Sequence, residues 1–77
     1  MWYDFLIREP VMTITLNGDK HDLAAPLSVS ELLQQLEIDA RRVAVELNLT
    51  VVKKSAYESS VIKDGDEVEI VNFVGGG

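Results

Sequence analysis

The chain has 77 residues, a net charge of −6 and 47% hydrophobic residues, which indicates one small folded domain. The acidic charge argues against a nucleic-acid partner, since phosphate binding needs clustered Lys and Arg. With no cysteine and a single histidine, neither a disulfide nor a zinc cluster can be assembled within the chain, and we expect no metal site. No apolar run reaches the roughly 20 residues of a membrane span, so we expect no membrane partner and a cytoplasmic location.

The first 11 residues differ from the rest of the chain. They form a short aromatic and aliphatic cluster closed by Pro10, and a second methionine, Met12, stands directly before a strand pattern. We interpret residues 1–11 as a leader, a cloning remnant or a non-essential extension. The alternative is that Phe5 to Ile7 add an edge strand or pack on the core. The regular pattern after this segment predicts a domain over residues 12–74.

The domain begins with a hairpin pattern. Ile14 and Leu16 alternate with polar residues, and Asn17-Gly18 follows them. Asn-Gly between alternating runs is a strong hairpin signal, because both central positions of a type I′ turn need positive φ. The first two strands are therefore predicted to pair, with the second at Lys20 to Leu23.

A helix is predicted to follow the hairpin. Ser28 with Glu31 three residues later is a capping box, in which each side chain bonds to the other residue's backbone N–H. The next apolar residues fall at positions i, i+3, i+4 and i+7, which is the spacing of one buried helix face. These residues are Val29, Leu32, Leu33 and Leu36.

Three further strands are predicted after the helix. Val43 to Leu47 alternates, Asn48-Leu49 can turn into a short segment at Thr50 to Val52, and Asp64-Gly65-Asp66 is a tight turn before a last strand at 67–74. Residues 53–60 are predicted to be a loop or helical turn. The element order predicts an α+β protein in a β-grasp arrangement, with a mixed four- to five-stranded sheet and one main helix packed on one face.

Three glycines end the chain, and we predict a flexible tail over residues 75–77. Glycine accepts backbone angles that other residues refuse and has no side chain to obstruct a narrow active site. The terminal carboxylate is ionised at neutral pH and can attack the α-phosphate of ATP, which would turn it into an electrophile. The alternative is a frayed tail without function.

The segments MTITLNG, SVSELLQQL, VAVELN, KDGDEVEI and VNFVGGG, in this order, resemble the ThiS family of sulfur carriers in thiamine biosynthesis over residues 12–77. The resemblance implies a ubiquitin-like fold, ATP-dependent adenylation of Gly77 by a ThiF-like enzyme and conversion to a thiocarboxylate with sulfur from a donor protein. A ThiG-like thiazole synthase would then receive the sulfur. The chain would be a protein co-substrate, not an enzyme, and would bind no cofactor, since ATP belongs to the partner.

The resemblance also implies roles for individual residues. Gly76 and Gly77 match the reactive tail. The residues that partners would grip are Val71, Phe73, Val74 and Gly75. The chain departs from the family pattern in the segment before Met12 and in Asn48-Leu49, where many relatives have Asn-Gly.

The alternation of the last strand supports a contact surface near the tail. Val68 and Ile70 share one face and are predicted to be core, which leaves Val71 and Phe73 on the other face. The alternative is that Phe73 turns inward. The acids near this strand would steer the surface toward a basic partner, or would serve solubility alone; they are Asp64, Asp66, Glu67 and Glu69.

Several alternatives remain open at this point. The small subunit of molybdopterin synthase, a tRNA-thiolation carrier and a ubiquitin-like modifier would share the tail chemistry. A β-grasp interaction module that binds through its sheet or an edge would not use the tail. An enzyme built around His21 ranks last, because His21 and Asp22 are adjacent on a strand and point to opposite faces.

Overall fold

Five strands form one mixed sheet in the computed structural model, which describes residues 11–73. In chain order the elements are β1 (Met12–Leu16), β2 (Asp19–Leu23), β3 (Leu27–Ser28), helix α1 (Val29–Gln35), β4 (Val43–Leu47), β5 (Thr50–Val52), β6 (Val61–Ile62) and β7 (Glu67–Asn72). Two short 3₁₀ helices lie at Ala40–Arg42 and Lys54–Ala56.

The strand order in the main sheet is β2-β1-β7-β4-β5, so the last strand in sequence lies at the centre. β7 runs parallel to β1 and antiparallel to β4, while the β1–β2 and β4–β5 hairpins form the two sides. A separate two-stranded sheet pairs β3 with β6, which the sequence pattern did not predict. The predicted α+β, β-grasp arrangement with a mixed sheet is confirmed.

The first hairpin has the predicted geometry. Leu16 pairs with Asp19, and the two turn residues between them, Asn17 and Gly18, have φ values of 48° and 88°. The Asn17 side chain accepts a hydrogen bond from the N–H of Ile70 at 2.7 Å and donates one to its carbonyl at 3.1 Å. The turn is therefore tied to the middle of β7.

The second hairpin turns in the same way without a glycine. Asn48 and Leu49 both have positive φ values, 52° and 70°, and the Leu49 side chain is 79% exposed. The Asn48 Oδ1 accepts from the N–H of Glu67 at 2.9 Å. Both hairpin turns thus bond to β7 through an asparagine side chain, one from each side.

Helix α1 starts at the predicted capping box. The Ser28 Oγ accepts from the N–H of Glu31 at 3.0 Å, and the Glu31 Oε1 accepts from the N–H of Ser28 at 2.8 Å. The helix stops after Gln35, where Leu36 caps it and Glu37 takes a left-handed conformation with φ of 59°. This positive φ ends the regular helix, because such a backbone cannot continue the right-handed turn.

The core lies between α1 and the inner face of the main sheet. Residues predicted from the strand and helix patterns supply most of it, and Ile62 of β6 and Tyr57, 4% exposed, were not predicted. The buried apolar residues are Met12, Ile14, Leu23, Val29, Leu32, Leu33, Val43, Val45, Tyr57, Ile62 and Val68. Leu36, the fourth residue of the predicted helix stripe, packs against them and is half-buried.

Residues 1–10 and 74–77 lie outside the described part of the chain. The predicted extension, the Phe5 to Ile7 alternative and the predicted tail over 75–77 fall there, so the division into these segments stays a prediction. Within residues 11–73, no helix is long and apolar enough to cross a membrane.

Candidate functional site

The outer face of β7 carries exposed apolar side chains next to the end of the strand. Val68 is buried and Ile70 half-buried on the inner face, whereas Val71 and Phe73 are 51% and 55% exposed. This division follows from strand alternation, and the predicted exposure of Val71 and Phe73 is confirmed. Their contact with a partner stays a prediction.

Phe73 is held from two directions although its ring is exposed. Its backbone N–H donates to the carbonyl of Arg42 at 2.9 Å, which continues the pairing of β7 with the segment before β4. The ammonium group of Lys54 lies over the ring, 5.3 Å from its centroid, within the range of a cation–π contact. The same ammonium donates to the carbonyl of Ala40 at 2.8 Å. No sequence pattern marks Lys54 as part of this site.

The surroundings of Phe73 are basic. Among the seven Lys and Arg residues of the chain, Arg42 bonds to Phe73 through its backbone, Arg41 precedes it, Lys54 covers the ring and Lys53 precedes Lys54. We call these four residues, Arg41, Arg42, Lys53 and Lys54, the basic corner. Its presence means that the acidic surface expected around Phe73 does not extend to the end of β7.

One carboxylate partly neutralises the basic corner. The Asp39 Oδ2 lies 2.9 Å from Nη2 of Arg41 and 3.8 Å from Nε of Arg42. Asp39 also caps the first 3₁₀ helix, where its Oδ1 accepts from the N–H of Arg41 at 2.9 Å. Hydrogen bonds from the Arg41 side chain and backbone lower the pKa of Asp39 to about 2, so this carboxylate remains charged at neutral pH.

Two of the four predicted steering acids have structural contacts at the other end of β7. The Asp64 Oδ1 accepts from the N–H of Thr13 at 2.8 Å, and the Asp66 Oδ2 accepts from the N–H of Lys63 at 2.8 Å. Roughly 20 Å of extended strand separates Asp66 from Phe73. These carboxylates therefore stabilise the turn before β7. The partner of Asp64 is 51 residues away in sequence and is set by the fold, whereas Asp66 bonds locally, to a residue three positions earlier.

The other two acids lie on the outer face of β7. Glu67 and Glu69 are exposed, and Glu69 stands directly opposite Glu46 of β4. Like charges in such a pair disfavour the sheet slightly. Val71 stands opposite Ala44, closer to the basic corner. The outer face is thus acidic in the middle of β7, and apolar and then basic toward its end.

The histidine does not belong to this site. His21 is half-buried opposite Ile14 on the inner side of the sheet, while Asp22 is exposed and its Oδ1 accepts from the Thr13 hydroxyl at 2.9 Å. The prediction that these two side chains point to opposite faces is confirmed. In the part of the chain that the structure describes, no group of three acidic, His or Cys residues could hold a metal ion.

Four of the predicted site residues lie outside the described range. They are Val74, Gly75, Gly76 and Gly77. The described part of the site is therefore its base, where β7 ends at Asn72 and Phe73 follows.

Known proteins are similar to this chain in sequence and in fold. The ThiS family model matches residues 11–77. A thiazole synthase of Paramagnetospirillum magneticum is 46% identical over 66 residues, which cover 86% of this chain and 20% of that protein, so the chain spans about a fifth of its length. The sulfur carrier protein ThiS of Escherichia coli is 29% identical over 66 residues, covering 86% of this chain and all of that protein (100%).

A solved structure is also similar. The crystal structure of the thiamine biosynthesis protein (ThiS) from Geobacter metallireducens has a TM-score of 0.77 and 42% sequence identity, and the match covers 86% of this chain and 100% of that one. The family model extends over both hairpins, the helix and β7, which lies at the centre of the sheet in this chain. These three lines of similarity agree, and the chain belongs to the ThiS family.

Proposed function

We propose that this chain is a sulfur carrier for thiazole formation in thiamine biosynthesis, and that Gly77 holds the sulfur as a thiocarboxylate. One observation carries the proposal: the exposed outer face of β7 leads through Phe73 directly into a glycine-rich terminus, in a chain that the ThiS family model matches through residue 77. The full-length similarity to the sulfur carrier protein ThiS of Escherichia coli supports it.

The proposed chemistry has two steps on the Gly77 carboxyl group. First, a carboxylate oxygen attacks the α-phosphorus of ATP and displaces pyrophosphate, giving an acyl-adenylate. Second, hydrosulfide attacks the acyl carbon and displaces AMP, giving the thiocarboxylate; a thiol reductant would release this hydrosulfide from a persulfide on a sulfur-donor protein by breaking its S–S bond and forming a disulfide. The first step is needed because a carboxylate does not accept a nucleophile, whereas AMP is a good leaving group.

The chain itself would contribute a folded domain that the partner enzymes bind and a terminal segment that reacts. It contains no G-x-x-x-x-G-K-[ST] phosphate loop, so ATP would be bound by a ThiF-like adenylating enzyme. Val71 and Phe73 would supply apolar contacts to that enzyme, and Val74 and Gly75 would lead into its active site. Gly76 and Gly77 would occupy the narrow part, where a side chain would obstruct the passage. In this role the chain is a co-substrate.

A thiazole synthase is the proposed sulfur acceptor. The thiazole synthase of Paramagnetospirillum magneticum contains, within a much longer chain, a segment similar to this one. A carrier and an acceptor joined in one protein are expected to act in succession, because a covalent link raises their effective concentration. We therefore propose a ThiG-like enzyme as the partner that takes sulfur from Gly77.

Intact-mass spectrometry tests the proposal. The chain is incubated with ATP, a ThiF-like enzyme and sulfide, and the expected product has one oxygen replaced by sulfur at Gly77. Deletion of Gly77 or Gly76→Trp should abolish the mass change while the circular dichroism spectrum and melting temperature stay as in the unmodified chain. An unchanged mass with an enzyme that is active on its own carrier would refute the carrier role.

A binding measurement separates the carrier from a tail-independent interaction module. Removal of residues 75–77 should weaken binding to the adenylating enzyme, because the tail enters its active site. Binding that survives this removal unchanged would favour the module, which uses the sheet alone.

A further inference from the structure

We propose that Lys54 is a positioning residue for the tail: it holds the Phe73 ring against the domain and so orders the residue from which the tail continues. The inference rests on the proposed sulfur-carrier function. It goes further by assigning a role in tail presentation to a residue far from the tail in sequence, and it replaces part of the acidic surface expected around Phe73 with a basic contact.

Lys54 links three segments of the chain through one ammonium group. Its Nζ donates to the carbonyl of Ala40 at 2.8 Å and lies 5.3 Å from the Phe73 ring centroid. The residue begins the second 3₁₀ helix, and Ala40 begins the first. The hydrogen bond to the Ala40 carbonyl therefore holds the ammonium over the ring.

The backbone alone fixes Phe73 only partly. One hydrogen bond, from its N–H to the carbonyl of Arg42, holds the main chain after the end of β7. The ring is 55% exposed, so core packing does not fix its rotamer. The Lys54 contact supplies the missing constraint, since a cation prefers the face of an aromatic ring.

A fixed tail base favours reaction in a partner's active site. A tail that enters a narrow site loses backbone freedom, and every residue already ordered in the free carrier reduces that loss. The ordering of Phe73 should strengthen carrier binding. It should not change the rate of the chemical step, because the reacting carboxyl group is the same once the tail is bound. Loss of the Lys54 contact should therefore raise the KM for the carrier and leave kcat unchanged.

The key variants are Lys54→Met, which keeps a long apolar side chain without the charge, and Lys54→Arg, which keeps a cation able to stack on the ring. Lys53→Met is the matched control, since Lys53 is an exposed neighbour with the same charge and makes no cation–π contact in the described part of the chain. These three variants and the wild-type chain are compared for melting temperature and for ATP–pyrophosphate exchange by a ThiF-like enzyme at varied carrier concentration.

The expected result is a KM about two- to fivefold higher for Lys54→Met, the factor that corresponds to one exposed cation–π contact. Lys54→Arg should restore the wild-type KM, and Lys53→Met should leave it unchanged. In the NMR spectrum, the methylene protons next to Nζ of Lys54 should be shifted upfield by the Phe73 ring current, and Phe73→Leu should remove this shift.

Three results would overturn the role of Lys54. One is a Lys54→Met protein with the wild-type KM, another is an equal rise in KM for Lys53→Met and Lys54→Met, which would indicate general charge attraction, and the third is the absence of the ring-current shift. Failure of the proposed function looks different: no exchange would occur with the wild-type chain, although the ring-current shift would still be present.

Discussion

The carboxamide of Asn17 bonds to both backbone polar groups of Ile70, accepting from its N–H at 2.7 Å and donating to its carbonyl at 3.1 Å. β1 ends at Leu16 because the chain turns back into β2. If β1 continued, its next peptide group would bond to Ile70 in the parallel pairing with β7. The Asn17 carboxamide makes these bonds in its place. The first hairpin thus fixes the centre of the strand that leads to the tail.

Removal of this carboxamide should destabilise the sheet. Asn17→Gly tolerates the φ of 48° but loses both bonds to Ile70, and we expect the free energy of unfolding to fall by about 1–2 kcal/mol. Urea denaturation measures this loss, and amide hydrogen exchange at Ile70 should become faster. Asn17→Asp keeps an acceptor for the Ile70 N–H and should lose less; equal stability of all three proteins would contradict the interpretation.

A substitution in the second hairpin turn, at Leu49, is expected to stabilise the protein. Leu49 has a φ of 70° and is 79% exposed, so Leu49→Gly relieves backbone strain and gives up little buried apolar area. We expect a gain of about 1 kcal/mol in the free energy of unfolding, read from urea denaturation.

The first turn supplies the matched control for Leu49. A Cβ at Gly18 would meet no atom within 4 Å, but its φ is 88°, so Gly18→Leu should lose about 1 kcal/mol or more through backbone strain alone. A destabilised Leu49→Gly protein would show that the Leu49 side chain makes a contribution beyond its strain.

The pKa of Asp39 predicts an acid-dependent change. Hydrogen bonds from Arg41 hold the pKa at about 2, below the ordinary 3.8, so the folded state binds the proton less tightly than the unfolded state. The stabilisation from Asp39 is present above pH 3.8 and is lost as the pH falls through about 2. Carboxyl carbon chemical shifts give the titration directly, and Arg41→Gln should move the midpoint up toward the ordinary value. A midpoint unaffected by Arg41→Gln would exclude Arg41 as the cause.

Burial of Tyr57 predicts a change at the alkaline end. Burial raises the pKa of the Tyr57 phenol above its ordinary value of 10.0, and a backbone hydrogen bond with Val45 opposes this shift. The folded state therefore keeps the proton more tightly, so the corresponding stabilisation is present below pH 10.0 and is lost as the pH rises through the raised pKa. Over this pH range, the free energy of unfolding of Tyr57→Phe should fall less than that of the wild-type protein. Parallel plots of the free energy of unfolding against pH for the two proteins would show that the Tyr57 phenol does not cause the change.

Local signals in the sequence predicted the elements that local interactions form. Asn17-Gly18 sets its own turn, Ser28 and Glu31 cap their own helix, and alternation along β7 separates Val71 from Val68. These features could be read from neighbouring residues because their contacts are close in sequence or follow from strand periodicity.

The contacts that the sequence did not reveal are long-range. Lys54 meets Phe73 because its ammonium bonds to Ala40 in the segment before β4, and β7 lies beside that segment. Tyr57 enters the core from a segment that has no helix or strand periodicity. From the sequence, Asp64 is a charge that steers a partner or serves solubility, whereas in the structure its carboxylate bonds to Thr13, 51 residues away in sequence. Charge and exposure at one position do not reveal such partners, because they depend on which strands become neighbours.

The central place of β7 also bears on when the tail becomes usable. β1–β2 and β4–β5 are joined within the sheet only through β7, and its contacts with the first hairpin span up to 53 residues. A chain that stops short of β7 would leave two separate hairpins, each with unpaired backbone at its edge. If an adenylating enzyme docks on the outer face of β7, as proposed, it would select chains whose sheet has closed, and incomplete or unfolded chains would not be modified.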